Sequence, residues 1–248
     1  MSYILGMDTG GTYTDGVIVD SASRKIICKA KALTTKDDLT VGIKNCLDRL
    51  KFDRMSEITL VSLSTTLATN AIVEGRGGKV ALLYMGAELE DEVPAAVSVK
   101  IKGKIDIMGR LMEDIDEKEI EDVLMSLKGK IDAVAVSEYA SVRNQKHEKI
   151  VKHMAEKLLD VPVICGHELT SALGFQHRSV TAILNGKLIS IIDELLKSTK
   201  KVLSEKNING KIMIVKGDGT LMTEKVAKSK SVDTILSGPA ASVIGGIA

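Results

Sequence analysis

Eight residues near the N-terminus, Asp8-Thr9-Gly10-Gly11-Thr12-Tyr13-Thr14-Asp15, constrain this chain more than any other stretch. They lie between two apolar runs, Ile4-Leu5-Gly6-Met7 and Val17-Ile18-Val19. Strand, tight glycine turn and strand predict a β-hairpin. Gly10 and Gly11 admit positive φ and leave their backbone N–H groups uncovered. Consecutive N–H groups in such a turn form a concave nest for an anion. Thr12 and Thr14 add hydroxyl donors. Asp8 and Asp15 flank the nest, and carboxylates beside phosphates hold Mg²⁺ directly or through water. The predicted device is a phosphate and Mg²⁺ clamp, with Asp8 and Asp15 on the metal and Gly10, Gly11, Thr12 and Thr14 on phosphate. Plain hairpin punctuation uses the same residue types. The density of acids, glycines and threonines favours the clamp.

Composition narrows the surroundings. The 248 residues allow one large domain or two smaller ones. With 44% hydrophobic and 27% charged residues, the chain is globular. A net charge of +1 gives no electrostatic case for nucleic acid or an anionic membrane. Aromatics are 2% with no Trp, so platforms for stacking bases are missing and the core is aliphatic. Cys28, Cys46 and Cys165 are odd in number and far apart, which predicts reduced thiols in a cytoplasmic protein. No signal peptide is expected, and no apolar run reaches the ~18 residues that span a bilayer. The four histidines show no zinc-ligand spacing.

Hydrophobic periodicity sets the expected order. After the hairpin, residues 25–33 read as a third strand. A helix starts at Asp37-Asp38, with Leu39, Ile43, Leu47 and Leu50 on one face. Residues 58–63 predict a strand, 65–74 a short helix and 79–84 another strand. Residues 86–116 are less regular and read as an insertion or a connection on the sheet edge. From Asp116 the alternation returns: a helix through Ile120 and Leu127, a strand at 132–136, a helix through Ile150 and Leu159, and a strand at 161–165. A long helix through Leu188 and Leu203 and a strand at 212–215 close the pattern. This is an α/β chain.

Other segments could carry chemistry. Ser64-Thr65-Thr66 and Asn70 follow a buried strand and open a helix, where α/β proteins bind ligands, although a Ser or Thr N-cap explains the same residues. Gly217-Asp218-Gly219-Thr220 suits close approach to a ligand or a plain turn. Ser237-Gly238-Pro239-Ala240-Ala241 looks like a helix start with room for a group at its end. Arg178 and Asn185 share a predicted helix, where a contact to ligand competes with an internal cap or salt bridge. Neither a P-loop nor a dinucleotide-binding glycine motif occurs.

Together these segments resemble the hydantoinase A/5-oxoprolinase family, within the actin, sugar-kinase and heat-shock-chaperone ATPase superfamily. Asp8 to Asp15 resemble its first phosphate motif, and Ser64 to Ala71 its G-T-T-x-A-T-N-A segment. Glu168, Arg178, Thr181 and Asn185 resemble its E…R-x-x-T-x-x-x-N pattern. Gly217 to Met222 resemble a glycine-rich turn, and Ser237 to Ala241 its S-G-P-A segment. Leu63-Ser64 stand where the family usually has His-Gly, and Asp218 where a small or amide residue is more usual.

The resemblance implies an α/β fold. Residues 1–85 would form an actin-like ATPase (ribonuclease H-like) subdomain with a mixed sheet. An insertion or edge connection at 86–116 and a second α/β region at 117–248 would follow. It implies ATP and Mg²⁺ as cofactors and a cyclic amide as small-molecule substrate. The amide oxygen would be phosphorylated before hydrolysis. Asp8, Asp15, Thr65 and Thr66 would be catalytic. Gly10, Gly11, Thr12, Thr14, Gly217, Gly219, Ser237 and Gly238 would bind the nucleotide, with Asn70 and Arg178 near substrate. A phosphotransferase of the same superfamily and a non-catalytic assembly module are the alternatives. In the family a second D-x-G-G-T-x-T-D hairpin follows the S-G-P-A region. Its absence before Ala248 implies weak nucleotide turnover by this segment alone, and a homo-oligomer or a second subunit as partner.

Overall fold

The computed structural model describes residues 2–247. The chain begins with β1 (Tyr3–Thr9), β2 (Tyr13–Asp20), β3 (Ile26–Leu33), α1 (Leu39–Arg49), β4 (Ile58–Thr65) and α2 (Leu67–Val73). It continues with β5 (Val80–Met85), β6 (Val97–Lys100), β7 (Lys104–Ile105), β8 (Leu111–Glu113), α3 (Glu117–Leu127), β9 (Ala133–Glu138) and α4 (Lys146–Leu158). It ends with β10 (Val163–Cys165), α5 (Gly166–Leu169), α6 (Phe175–Glu205), β11 (Lys211–Val215), β12 (Leu221–Thr223), α7 (Glu224–Ser229) and α8 (Ser237–Ile247).

Two compact units interleave in the sequence. One comprises Met1–Gly75 with Ile189–Ala248, and the other Arg76–Leu188. The expected division into 1–85, 86–116 and 117–248 follows chain order, whereas the contacts do not. The reason is strand pairing: β11 lies parallel to β4 in the first unit's sheet, so the chain returns there after the second unit.

The first unit is built on a six-stranded sheet of order β12-β11-β4-β1-β2-β3. β1, β2 and β3 form an antiparallel meander, while β4 is parallel to β1. This mixed sheet is the ribonuclease H-like arrangement that the sequence implied. Alternation along β1 buries Tyr3, Leu5, Met7 and Thr9 on one face. The other face carries Gly6 and Asp8. Helix α1 starts where Asp38 accepts from the Thr40 N–H at 2.8 Å, an N-cap. It packs on β2 at Gly16, where a Cβ would come 2.9 Å from Cys46 Sγ.

The second unit has a parallel sheet of order β10-β9-β5-β6 and a separate β7-β8 hairpin. The irregular stretch 86–116 therefore supplies one edge strand and the hairpin. Val134 and Val136 of β9 and Leu83 and Met85 of β5 pack with Ile120 and Leu124 of α3 and Val151 of α4. The opposite face meets α6, where a Cβ on Gly186 would come 3.0 Å from Val80. Burial on both faces explains why β9 reads as a continuous apolar run. Helix α6 begins at Phe175, earlier than its apolar periodicity suggested. Cys46 and Cys165 are buried and Cys28 half-buried, and all three are unpaired. Among the described residues, no helix is long and apolar enough to cross a membrane.

Candidate active site

The chemistry-bearing residues of the first unit converge at one end of the strands of its sheet. Asp8 lies opposite Asp15 across β1 and β2, and opposite Ser64 across β1 and β4, while Asp15 lies opposite Lys31 of β3. The result is a polar row over four strands, Lys31-Asp15-Asp8-Ser64. Two like charges directly opposite each other destabilise a sheet, so the pair needs positive charge or donors nearby. Lys31 Nζ stands 3.2 Å from Asp15 Oδ1. Ser64 Oγ donates to Asp8 Oδ1 at 2.7 Å. All four residues line a cavity of about 640 Å³, together with Gly6, Val17, Val215 and Ala241.

The glycine turn closes one end of this row. Gly10 N–H donates to the Tyr13 carbonyl at 2.9 Å. Gly11 faces Asn70 of α2 so closely that a Cβ would lie 2.7 Å from Asn70 Nδ2. Thr65 ties the strand ends together. Its hydroxyl donates to the Thr9 carbonyl at 2.7 Å and accepts from the Leu67 N–H at 3.0 Å. Thr65 thus does the capping work for α2, and Thr66, at the N-cap position, makes no side-chain cap bond.

The start of α8 completes the arrangement. Ser237 Oγ accepts from the Thr65 N–H at 3.2 Å and donates to the Thr65 carbonyl at 2.9 Å. Gly238 has no room for a side chain: a Cβ would meet Thr66 Cγ2 at 2.8 Å, with Asp8 Oδ1 at 3.7 Å. Leu236 holds a left-handed φ of 62°, and its N–H donates to Thr69 Oγ1 at 2.9 Å. The structure therefore brings together Asp8, Asp15, Gly10, Gly11, Thr65, Thr66, Asn70, Ser237 and Gly238.

The other expected residues have other partners. Thr12 is exposed, and its carbonyl accepts from the Thr34 N–H. Thr14 is fully buried, its hydroxyl 2.9 Å from that of Thr34. Gly217 and Gly219 form the β11-β12 turn, where a Cβ on Gly217 would sit 2.2 Å from the Ile235 carbonyl and Gly219 takes φ 81°. In that turn Asp218 accepts from the Thr220 hydroxyl and N–H and pairs with Lys216; the Thr220 donors first, and Lys216 after them, hold its carboxyl down at about 2. Arg178 belongs to the second unit. It is fully buried, and its guanidinium donates to the carbonyls of Ala172, Leu173, Glu138 and Tyr139 at 2.6–2.8 Å.

Sequence reasoning missed Lys31. Its signal was the alternation Lys29-Ala30-Lys31-Ala32 inside a strand, which puts both lysines on one face. In the second unit, Glu148, Cys165 and His167 bring three ligand atoms within 4.8 Å of one another. Hydrogen bonds already occupy them. Glu148 accepts from the Glu138 and His167 N–H groups and faces His167 Nδ1 at 2.5 Å, while Cys165 Sγ donates to the Glu148 carbonyl. Burial pushes the Cys165 thiol well up, which keeps it protonated.

The family model for the hydantoinase/oxoprolinase N-terminal region matches residues 4–159, and that for hydantoinase/oxoprolinase matches residues 178–248. The chain belongs to the hydantoinase/oxoprolinase family. Caprolactamase subunit alpha of Pseudomonas jessenii is 28% identical over 277 residues, which cover 99% of this chain and 40% of that protein. The crystal structure of the ATP-dependent caprolactamase from the same organism matches with a TM-score of 0.80 at 27% identity, over 96% of this chain and 39% of that one. A nucleotide-free acetone carboxylase matches with a TM-score of 0.82 at 18% identity, over 98% and 40%, which is a likeness of fold. This hydantoinase/oxoprolinase family member thus spans 39–40% of the length of two curated relatives that it matches.

Proposed function

We propose that this chain forms one wall of the nucleotide site of an ATP-dependent cyclic-amide hydrolase. The observation that carries the reading is the Asp8-Asp15 pair. Two carboxylates face each other across one strand pair, beside a glycine turn and over a cavity of about 640 Å³. A sheet keeps such a pair at a cost, and a divalent cation is the ligand that relieves it. Gly11 and Gly238 let the turn and the α8 start pack directly against Asn70 and Thr66, close beside the carboxylate pair. Bound MgATP would supply the phosphoryl group that turns an amide oxygen into a leaving group.

The chain's own residues then have defined tasks. Asp8 and Asp15 hold Mg²⁺ or its waters. Gly11 offers its N–H group, while that of Gly10 is held by the Tyr13 carbonyl, and Lys31 balances Asp15. Thr65 and Ser237 fix the strand end, so that donors are in place before charge develops. Asn70, packed against Gly11, is assigned to the substrate on the family resemblance. The lactam specificity named for the caprolactamase relative supports a cyclic amide. Its designation as subunit alpha supports a second subunit as partner. Three unpaired cysteines fit a cytoplasmic setting.

The test is MgATP-dependent ring opening of lactams and cyclic imides by the chain in its full assembly, with Asp8→Ala alongside. The expected result is ring-opened product that disappears in Asp8→Ala. A phosphorylated product without ring opening would point to a phosphotransferase instead. Undiminished turnover by Asp8→Ala would refute the site.

A further inference from the structure

We propose that Ser64 is a positioning residue for Asp8, setting the orientation of its carboxylate toward the cation. The proposal rests on the reading of Asp8 as a Mg²⁺ residue. Ser64 Oγ, 2.7 Å from Asp8 Oδ1, is the one donor that the Asp8 side chain has among the described residues. On the other flank of Asp8 stands Asp15, which repels it. A carboxylate between a like charge and a hydroxyl takes its orientation from the hydroxyl. Oδ1 is fixed on the Ser64 side, and Oδ2 is left without a described partner.

Ser64 is itself held. It is only 7% exposed and occupies the penultimate position of β4. The next residue, Thr65, is tied by Ser237 through both its N–H and its carbonyl, and by its own hydroxyl to Thr9. A donor on a strand end pinned at three points loses little freedom when it holds its acceptor, and that is the condition for a supporting contact to set geometry. A clamp thus runs from α8 through Thr65 and Ser64 to Asp8.

Groups that orient a metal-holding carboxylate affect metal affinity or activity by roughly 10- to 100-fold when removed. The experiment measures ATP turnover by the assembled enzyme as a function of Mg²⁺ at saturating ATP, for wild type, Ser64→Ala, Ser64→Thr and Asp8→Ala, with thermal midpoints beside each. Ser64→Ala should raise the Mg²⁺ concentration for half-maximal turnover by roughly tenfold or more. Ser64→Thr, which keeps the hydroxyl, should return it toward wild type. A purely structural serine would lower the thermal midpoint and leave the Mg²⁺ dependence alone, and that result overturns the proposal. If Asp8→Ala abolishes turnover while Ser64→Ala leaves half-saturation unchanged, the role of Ser64 alone is wrong. If Asp8→Ala also turns over normally, the reading of the whole site falls with it. Should Ser64→Ala not fold, Ser64→Cys keeps the volume with a weak donor and carries the same expectation.

Discussion

Replacing Ser237 with alanine tests whether α8 and β4 are clamped as the structure shows. Ser237 is fully buried, and its hydroxyl serves both backbone groups of Thr65, itself buried. Alanine removes one oxygen and leaves a buried N–H and a buried carbonyl short of a partner. An unsatisfied buried group costs about 1–3 kcal/mol, and a carbonyl with a second lone pair sits at the low end. The sum is about 2–4 kcal/mol. For a chain of this size each kilocalorie moves the thermal midpoint by ~2–4 °C, so Ser237→Ala should melt roughly 4–16 °C below wild type. Ser231→Ala is the control. Ser231 is equally buried, but among the described residues its hydroxyl donates only to the Ala227 carbonyl, at 3.0 Å, and accepts from no N–H. Its loss should cost about 1 kcal/mol. Urea unfolding of both variants, read by far-UV circular dichroism, gives the comparison. Equal losses in the two, or a smaller one at Ser237, would refute the clamp.

Three further outcomes are expected. Gly217→Ala places a Cβ 2.2 Å from the Ile235 carbonyl. Backbone cannot swing aside as a side-chain tip can, so urea unfolding should show a loss of about 2–3 kcal/mol. Arg178→Lys keeps the charge but cannot reach four carbonyls with one ammonium. It should cost about 3 kcal/mol, and amide exchange near Tyr139 and Leu173 should accelerate; unchanged exchange would remove Arg178 as the tie between those loops. Asp218, with its carboxyl lowered from 3.8 to about 2, is a depressed acid. Its contribution is therefore present above the unfolded value and lost as pH falls from about 4 through about 2. Melting curves of wild type and Asp218→Asn should differ at neutral pH and converge near pH 2. A constant difference across that range would contradict the assigned hydrogen bonds.

Local chemistry was legible in the sequence, and nonlocal pairing was not. Asp38 announced the start of α1 because a cap needs only its own neighbours. The helix expected at Arg178 and Asn185 and the one expected through Leu188 and Leu203 are a single α6, and their continuity was hidden because buried polar residues, Arg178, Ser179 and Asn185, interrupt the apolar period. Strand order stayed hidden because periodicity says which face a strand buries, not which strand lies beside it. Nothing in residues 211–215 announces that β11 returns to β4.

The site divides along the same line. A short turn at residues 10–12 by itself places Asp8 opposite Asp15, so the carboxylate pair followed once the hairpin was read. Its two polar neighbours depend on register shifts that no local pattern encodes. Between β2 and β3 the pairing shifts at Ile18/Val19. Continued from Val19↔Ile26 without that shift, Asp15 would face Ala30 rather than Lys31. Between β1 and β4 it shifts at Tyr3/Ile4. Continued from Tyr3↔Ile58, Asp8 would face Leu63 rather than Ser64. A slip of one residue turns a strand's side chains to the other face, and bulges are a means of re-aiming them near functional sites. Two such irregularities, one on each side of the β1-β2 hairpin, put a cation beside one carboxylate and a hydroxyl beside the other. Deleting one residue at either irregularity should therefore damage the site more than it damages the sheet. Mg²⁺-dependent turnover should fall by roughly the 10- to 100-fold expected for lost supporting contacts, while the strand order, read by amide exchange of β1 and β4, is preserved.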